Sequence, residues 1–352
     1  MTRSCVDRTF SALTEPQRVG QLFLLGLGDD RLGPQELAAI RRNHFGSVWF
    51  TRTTTAGVSA VRSVAEQAQA LATADTTGRV RFFVAANQEG GLIQALRGPG
   101  FSTIPAAVDQ GRLDPGVLRS DARAWGGELV RAGVNLNFAP VMDVVPAGTE
   151  QQNQPIGGLH REYGNDPATV GAHGVAFLQG MASAGVTTVA KHFPGLGRVT
   201  GNTDVTSGVV DSVTTPDDPD LDSFRQAIVA GVPMVMVALA TYTKIDPNRL
   251  AVFSPVVMRL LRDTYGFDGV IVSDDLGATA AVADIPPAAR AVDFLEAGGD
   301  LIISKTVGPA GRMADAMLAK ATSGPAFRSR VNDAVLRVLR AKNAADLLPC
   351  SG

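Results

Sequence analysis

The residues best equipped for chemistry are acids and bases that follow apolar runs of the sequence. Asp274-Asp275 and Lys191-His192 each stand at the end of such a run, and Asp204 lies in a polar loop between the two pairs. Side chains of these types transfer protons or attack electrophilic carbon. A cation beside a carboxylate also favours its ionised form. This grouping predicts a reactive site built from several strand ends.

Each group also has an ordinary structural interpretation. Asp274-Asp275 could cap the amino end of a helix, and Lys191-His192 could form a structural ion pair with hydrogen bonds. The loop residues 202–204 could form a turn, and Glu89 could cap the turn at 90–91. We favour a shared site because these groups recur, in chain order, at the same place relative to the apolar runs.

The elements that must position these residues alternate between strand and helix. Continuous apolar runs, typical of strands buried on both faces, predict strands at 47–50, 81–86, 134–139, 187–190, 232–240, 270–273 and 301–304. An Ala-Gly pair ends a helical stretch before several of them, as at Gly133, Gly185 and Gly231. Alternating strands and helices predict a parallel sheet.

We expect an α/β protein with a single (β/α)8 TIM-type barrel, in which chemistry lies where the strands end. The eighth strand is expected at 104–108 or 159–163, where the signal is weak. A capping box at Thr14 predicts a helix that includes Val19, Leu22 and Phe23. An open doubly wound sheet is the alternative. It usually carries a glycine-rich phosphate loop after its first strand, and T-R-T-T-T follows Phe50 instead.

Composition narrows the possible partners. The 352 residues include 32 Lys and Arg against 34 Asp and Glu, a net charge of −2, which argues against nucleic acid as a partner. No segment approaches the ~20 apolar residues of a membrane span, and no apolar leader begins the sequence. We find no metal-ligand spacing and expect no metal and no cofactor.

The two cysteines, Cys5 and Cys350, lie at opposite ends of the chain. The termini of a barrel lie near one another, so a disulfide between them is sterically reasonable, and two free thiols are the alternative. A disulfide would indicate an extracellular or cell-envelope location, with a signal segment removed. Free thiols would indicate the cytoplasm.

Five segments match motifs of one family. They read N-Q-E-G-G at 87–91, F-A-P-V-M-D at 138–143, R-E-Y-G-N-D-P at 161–167, K-H-F-P-G at 191–195 and S-D-D-L at 273–276. Together they resemble glycoside hydrolase family 3, in its single-domain bacterial β-N-acetylglucosaminidase-like branch. The resemblance covers residues 14–348. We therefore expect one catalytic barrel domain over 1–352, with 1–13 as an N-terminal extension tied to Cys350.

The resemblance implies roles for the strand-end residues. Asp274 matches the nucleophile of a retaining mechanism, in which a glycosyl-enzyme forms on a carboxylate. The residues expected to bind the sugar are Asn87, Arg97, Arg161, Lys191, His192, Asn202 and Asp275. Asn87 stands where the family has Asp and Leu92 where it often has Arg, which leaves the identity of the sugar open.

The histidine that serves as acid/base in this branch is missing. Its position and its neighbours read Asn202-Thr203-Asp204, or Asp204-Val205-Thr206 with a two-residue insertion. The four histidines of the chain lie elsewhere, at His44, His160, His173 and His192. We expect Asp204 to be the acid/base, with a pKa raised by burial or by the charge of Asp274.

The resemblance therefore implies a retaining, exo-acting β-glycosidase that acts as a monomer on a small carbohydrate. A β-N-acetylhexosaminidase for glycans derived from the cell wall fits best. The alternatives are a sugar-binding barrel with impaired catalysis, or a β-glucosidase or glycoside phosphorylase of the same family.

Overall fold

Eight parallel strands form a closed barrel in the computed structural model, which describes residues 4–350. The strands are β1 Phe23–Leu27, β2 Ser47–Phe50, β3 Phe83–Ala86, β4 Leu136–Asn137, β5 Thr187–Phe193, β6 Met234–Val237, β7 Val270–Asp275 and β8 Leu301–Ser304. Each strand pairs with its neighbours in chain order, and β1 closes the ring against β8 through the pair Phe23 and Ile302. The predicted (β/α)8 TIM-type barrel is confirmed.

Helices surround this barrel. In chain order they are α1 Cys5–Ala12, α2 Glu15–Gly20, α3 Pro34–Asn43, α4 Gly57–Gln69, α5 Ala74–Thr77, α6 Ala107–Gln110, α7 Pro115–Arg131, α8 Pro167–Ser183, α9 Asp222–Val229, α10 Pro255–Arg259, α11 Pro287–Ala297, α12 Val307–Ser323 and α13 Pro325–Ala344. After α7, α8 and α9 the chain turns at Gly133, Gly185 and Gly231, whose φ angles are 75°, 90° and 82°. Glycine adopts these positive values without steric cost, and the chain then enters the next strand.

The location of the eighth strand was predicted wrongly. Residues 104–108 and 159–163 form no strand, and the missing strand is β1, which we had assigned in part to a helix. Helix α2 does begin with the predicted capping box, but it ends at Gly20, where a Cβ atom would lie 2.0 Å from the carbonyl oxygen of His44. The apolar run after Gly20 therefore enters the barrel, and Phe23, Leu24 and Leu25 are fully buried.

Ladder hydrogen bonds set strand ends that differ from the ends of the apolar runs. The run at 232–240 is paired only over β6, although its other residues stay largely buried. Strands β5 and β7 instead extend past their apolar runs, so that Lys191-His192 and Asp274-Asp275 belong to the strands themselves. The pairing is irregular at both places, because the register shifts between Ala190 and Phe193 in β5 and between Val272 and Asp275 in β7. Such irregularities redirect side chains at the end of a strand.

The chain termini meet on the face opposite the carboxyl ends of the strands. Cys5 and Cys350 form a disulfide with a Cα–Cα distance of 5.9 Å, and α1 packs against α13.

Within residues 4–350, no helix has both the length and the apolarity to cross a membrane. Residues 1–3 of the expected N-terminal extension lie outside the described part of the chain.

Candidate active site

A cavity of about 380 Å³ opens at the carboxyl ends of the strands. Its wall includes side chains from the ends of β2 to β8 and from the loops that follow them. The lining residues are Trp49, Thr51, Asn87, Ile93, Phe138, Pro155, Leu159, Arg161, Lys191, His192, Leu196, Asn202, Thr203, Asp204, Val205, Met236, Asp274, Asp275, Ala278, Thr279, Ile303 and Lys305. Because parallel strands all end at one rim, residues far apart in sequence converge here.

The structure brings together eight of the nine residues proposed from the sequence. Those that line the cavity are Asn87, Arg161, Lys191, His192, Asn202, Asp204, Asp274 and Asp275. Arg97 lies outside the lining: its guanidinium donates to the carbonyl oxygens of Gln94 (2.9 Å) and Gly91 (2.6 Å). Its hydrogen bonds hold the short hairpin that follows β3.

Glu89 anchors the polar wall and was missed as a site residue. Its buried carboxylate accepts two 2.8 Å hydrogen bonds from the Arg161 guanidinium and lies 2.5 Å from Lys191 Nζ. Burial alone would raise the pKa of Glu89, but the charges of Arg161 and Lys191 lower it to about 2. Lys191 Nζ also donates to Asn87 Oδ1 at 2.9 Å. The sequence offered one signal, the N-Q-E-G-G motif at 87–91, but Glu89 received no role in the site and a turn cap was its structural alternative.

His192 is oriented by Asp143. His192 Nδ1 lies 2.7 Å from Asp143 Oδ2, and the other carboxylate oxygen accepts the backbone N–H groups of His192 (3.0 Å) and Leu196 (2.9 Å). A carboxylate only accepts, so Nδ1 carries a proton that it donates to Asp143. The peptide bond between Lys191 and His192 is cis. This arrangement leaves Nε2 as the ring nitrogen that can contact a ligand hydroxyl.

Asp274 faces the cavity at the end of β7 and caps no helix. Its Oδ1 accepts the backbone N–H of Asp275 at 2.7 Å, and the side chain is half-buried. Asp275 has the structural role: its Oδ1 accepts the N–H groups of Gly277 (2.7 Å) and Lys305 (2.8 Å), which joins β7 to the end of β8. Burial raises the pKa of Asp275 to about 6 despite these hydrogen bonds.

Asp204 is carried by a loop that is fastened to the segment after β7. The N–H groups of Ala280 and Ala281 donate to the carbonyl oxygens of Asp204 (3.1 Å) and Thr203 (3.2 Å). Asn202 Oδ1 accepts the N–H of Asp204 at 3.0 Å. The Asp204 side chain is solvent-accessible. Its pKa is nevertheless raised, mainly by partial loss of hydration and secondly by the negative charge of Asp274. Arg161, His192 and Lys305 act in the opposite direction.

The other histidines lie away from the cavity. His173 is buried within α8, where its ring nitrogens contact the carbonyl oxygens of Thr169 and Leu113. His44 ends α3, and His160 is exposed. Among residues 4–350, His192 is therefore the one histidine in the cavity wall, and no group of three or more His, Cys, Asp or Glu side chains could hold a metal ion.

Comparison with known proteins identifies the family of the chain. The family model described as glycosyl hydrolase family 3 N terminal domain matches residues 16–341. A crystal structure of β-N-acetylhexosaminidase from Beutenbergia cavernae is 49% identical, with a TM-score of 0.93, and covers 94% of this chain and 99% of its own.

Two curated relatives are β-hexosaminidases. The Xylella fastidiosa protein is 33% identical over 296 residues, which cover 80% of this chain and 82% of the relative. The Vibrio cholerae protein is 35% identical over 223 residues, which cover 62% of this chain and 64% of the relative. The matched part of this chain thus spans under two thirds of the Vibrio protein. With the family model covering most of the barrel, the chain belongs to glycosyl hydrolase family 3.

Proposed function

We propose that this protein is a retaining, exo-acting β-glycosidase with Asp274 as nucleophile and Asp204 as acid/base. One observation carries the proposal: the carboxyl groups of Asp274 and Asp204 line the same cavity. Partial loss of hydration and then the charge of Asp274 raise the pKa of Asp204, which favours its protonated form. A retaining mechanism needs this division, because one carboxyl must be ionised to attack and the other protonated to donate.

The proposed reaction has two steps. Asp274 attacks the anomeric carbon as Asp204 protonates the leaving oxygen, which gives a covalent glycosyl-enzyme. Asp204, now ionised, then takes a proton from the water that hydrolyses this intermediate. Lys191, His192 and Arg161 bind sugar hydroxyls, and Glu89 supports this contact by holding both cations in place.

We propose a terminal β-linked N-acetylhexosamine as the sugar, with glycans derived from the cell wall as its source. The names of the relatives support an N-acetylhexosamine as the sugar. We also propose that the protein acts as a monomer. The disulfide between Cys5 and Cys350 supports a location outside the reducing cytoplasm.

Incubation with a 5-fluoro N-acetylglucosaminyl fluoride tests the nucleophile. We expect a stable adduct on Asp274, found by peptide mass spectrometry, and none in Asp274→Asn. Binding without turnover would instead favour a sugar-binding barrel. A label on another residue would reject the assignment.

A panel of nitrophenyl β-glycosides, with and without an N-acetyl group, tests the sugar. We expect hydrolysis of the N-acetylated members in a phosphate-free buffer. Preference for β-glucosides would indicate a β-glucosidase. Turnover that requires phosphate and releases a sugar phosphate would indicate a phosphorylase.

A further inference from the structure

The loop that carries Asp204 has no regular secondary structure from residue 194 to residue 209. An acid on such a loop is useful only if the loop has one preferred position, because proton transfer requires hydrogen-bond reach. The contacts at its tip come from Ala280 and Ala281, as described above. The start of the loop, at residues 195–199, is held by other contacts.

Asn153 holds this first segment of the loop, and its side chain is buried, with 2% exposed. Its Nδ2 donates to the carbonyl oxygens of Leu196 (2.6 Å) and Val199 (2.7 Å). Its Oδ1 accepts the N–H groups of Ile156 (3.2 Å) and Gly157 (2.8 Å). All four hydrogen bonds available to an Asn amide are therefore made, which leaves the side chain a single orientation.

The four partners belong to two different loops. Leu196 and Val199 begin the segment that leads to Asp204, whereas Ile156 and Gly157 begin the segment that leads to Arg161. One buried amide thus joins the loop of the proposed acid to the loop that supplies a cation to the cavity wall. Without Asn153, the two carbonyl oxygens would lose a buried partner, which is costly.

Close packing adds to the fixation. A Cβ atom at Gly197 would lie 1.7 Å from the carbonyl oxygen of Val144, so this segment is pressed against the chain that follows β4. Tyr242 donates to the carbonyl oxygen of Gly195 at 2.7 Å. These contacts and the hydrogen bonds of Asn153 together hold residues 195–199 in place.

We infer that Asn153 is a positioning residue, which sets the place of the Asp204 loop relative to the Arg161 loop. The inference rests on the proposed function, because it assigns Asp204 as the acid. Asn153 touches no reacting group itself. Its effect on turnover should be largest where proton donation to the leaving group limits the rate.

Asn153→Asp provides the test because it preserves shape and both acceptor contacts but offers at most one donor to Leu196 and Val199. We expect kcat/KM for a phenyl N-acetyl-β-glucosaminide to fall about tenfold more than for the 2,4-dinitrophenyl substrate. The first leaving group needs a proton and the second does not. We also expect faster hydrogen exchange in peptides that cover 196–209.

Asn135→Asp is the matched control. Asn135 lies at the opposite end of the barrel, where Nδ2 donates to the Phe82 carbonyl and Oδ1 accepts the Val84 N–H. This variant also replaces an amide with a carboxyl group, but far from the cavity. We expect equal effects on both substrates and normal exchange at 196–209.

Equal losses on the two substrates in Asn153→Asp, with unchanged exchange at 196–209, would overturn the inference. If that variant does not fold, Asn153→Ser keeps one donor and is tested in the same way. Exchange is measured without turnover. Inactive wild-type protein with fast exchange in Asn153→Asp would therefore reject the proposed function while supporting the coupling of the loops.

Discussion

At the residue scale, the cavity gives its carboxyl groups different environments. Glu89 is held ionised by two cations, with a pKa of about 2, whereas burial raises the pKa of Asp275 to about 6. The pKa of Asp204 is raised by partial loss of hydration and by its neighbour Asp274. Residue type alone does not distinguish these acids, since their partners decide which form each one prefers.

Removal of the proposed acid should depend on the leaving group. We expect Asp204→Ala to lower kcat/KM about 10²–10⁴-fold for a phenyl glycoside and far less for a 2,4-dinitrophenyl glycoside. Azide should restore turnover of the activated substrate as a β-glycosyl azide, because it needs no general base. Unchanged turnover of the phenyl glycoside would reject the role of Asp204.

The charge of Lys305 should affect the upper limit of the pH profile. Lys305 lines the cavity and lowers the pKa of Asp204, so its removal should raise that pKa. In Lys305→Met we expect the basic limb of kcat/KM to move to higher pH, because Asp204 stays protonated longer. Lys305→Arg keeps the charge and should leave the limb in place. A shift to lower pH would contradict this assignment.

At the element scale, one lysine ties the last helix to the start of the barrel. Lys342 on α13 is fully buried, and its Nζ donates to Gln21 Oε1 (2.8 Å) and to the carbonyl oxygens of Gly46 (2.7 Å) and Arg81 (3.0 Å). These acceptors precede β1, β2 and β3. Burial lowers the pKa of Lys342 to about 7.

Lys342→Met should destabilise the fold without altering the cavity. Three buried acceptors lose their partner, and we expect about 3 kcal/mol less free energy of unfolding, measured by urea denaturation. The unfolded chain binds more protons than the folded chain between pH 7 and pH 10.5, so wild-type stability should rise with pH in that range. The difference from the variant should therefore be larger at pH 9 than at pH 7. An equal difference at pH 7 and pH 9 would mean that Lys342 stays charged in the fold.

At the scale of the whole molecule, a covalent link joins the two ends of the chain. The disulfide closes a sequence separation of 345 residues on the face away from the cavity. Such a link restricts the unfolded chain, so Cys5→Ser with Cys350→Ser should lose about 2–5 kcal/mol of stability. The expected result is a lower Tm with kcat/KM unchanged. A change in kcat/KM at a temperature well below the Tm would contradict the separation of the two faces.

Much of the architecture could be predicted because buried parallel strands leave continuous apolar runs in the sequence. Seven strands and the turns at Gly133, Gly185 and Gly231 follow from local signals. Strand β1 was missed because its apolar run directly follows a short helix, which ends at Gly20, where the backbone of His44 leaves no room for a Cβ atom. A local sequence pattern does not reveal a contact between segments that are distant along the chain.

The sequence by itself determined the barrel, the family resemblance and the candidate acids at the strand ends. The tertiary structure alone decided which polar residues meet: Glu89 with Arg161 and Lys191, Asp143 with His192, and Asn153 with the Asp204 loop. It also placed Arg97 outside the cavity. The physical reason is that the pattern of apolar residues that predicts strands and helices depends on neighbouring residues. A buried charge or amide, in contrast, is stable only beside partners that folding brings from elsewhere in the chain.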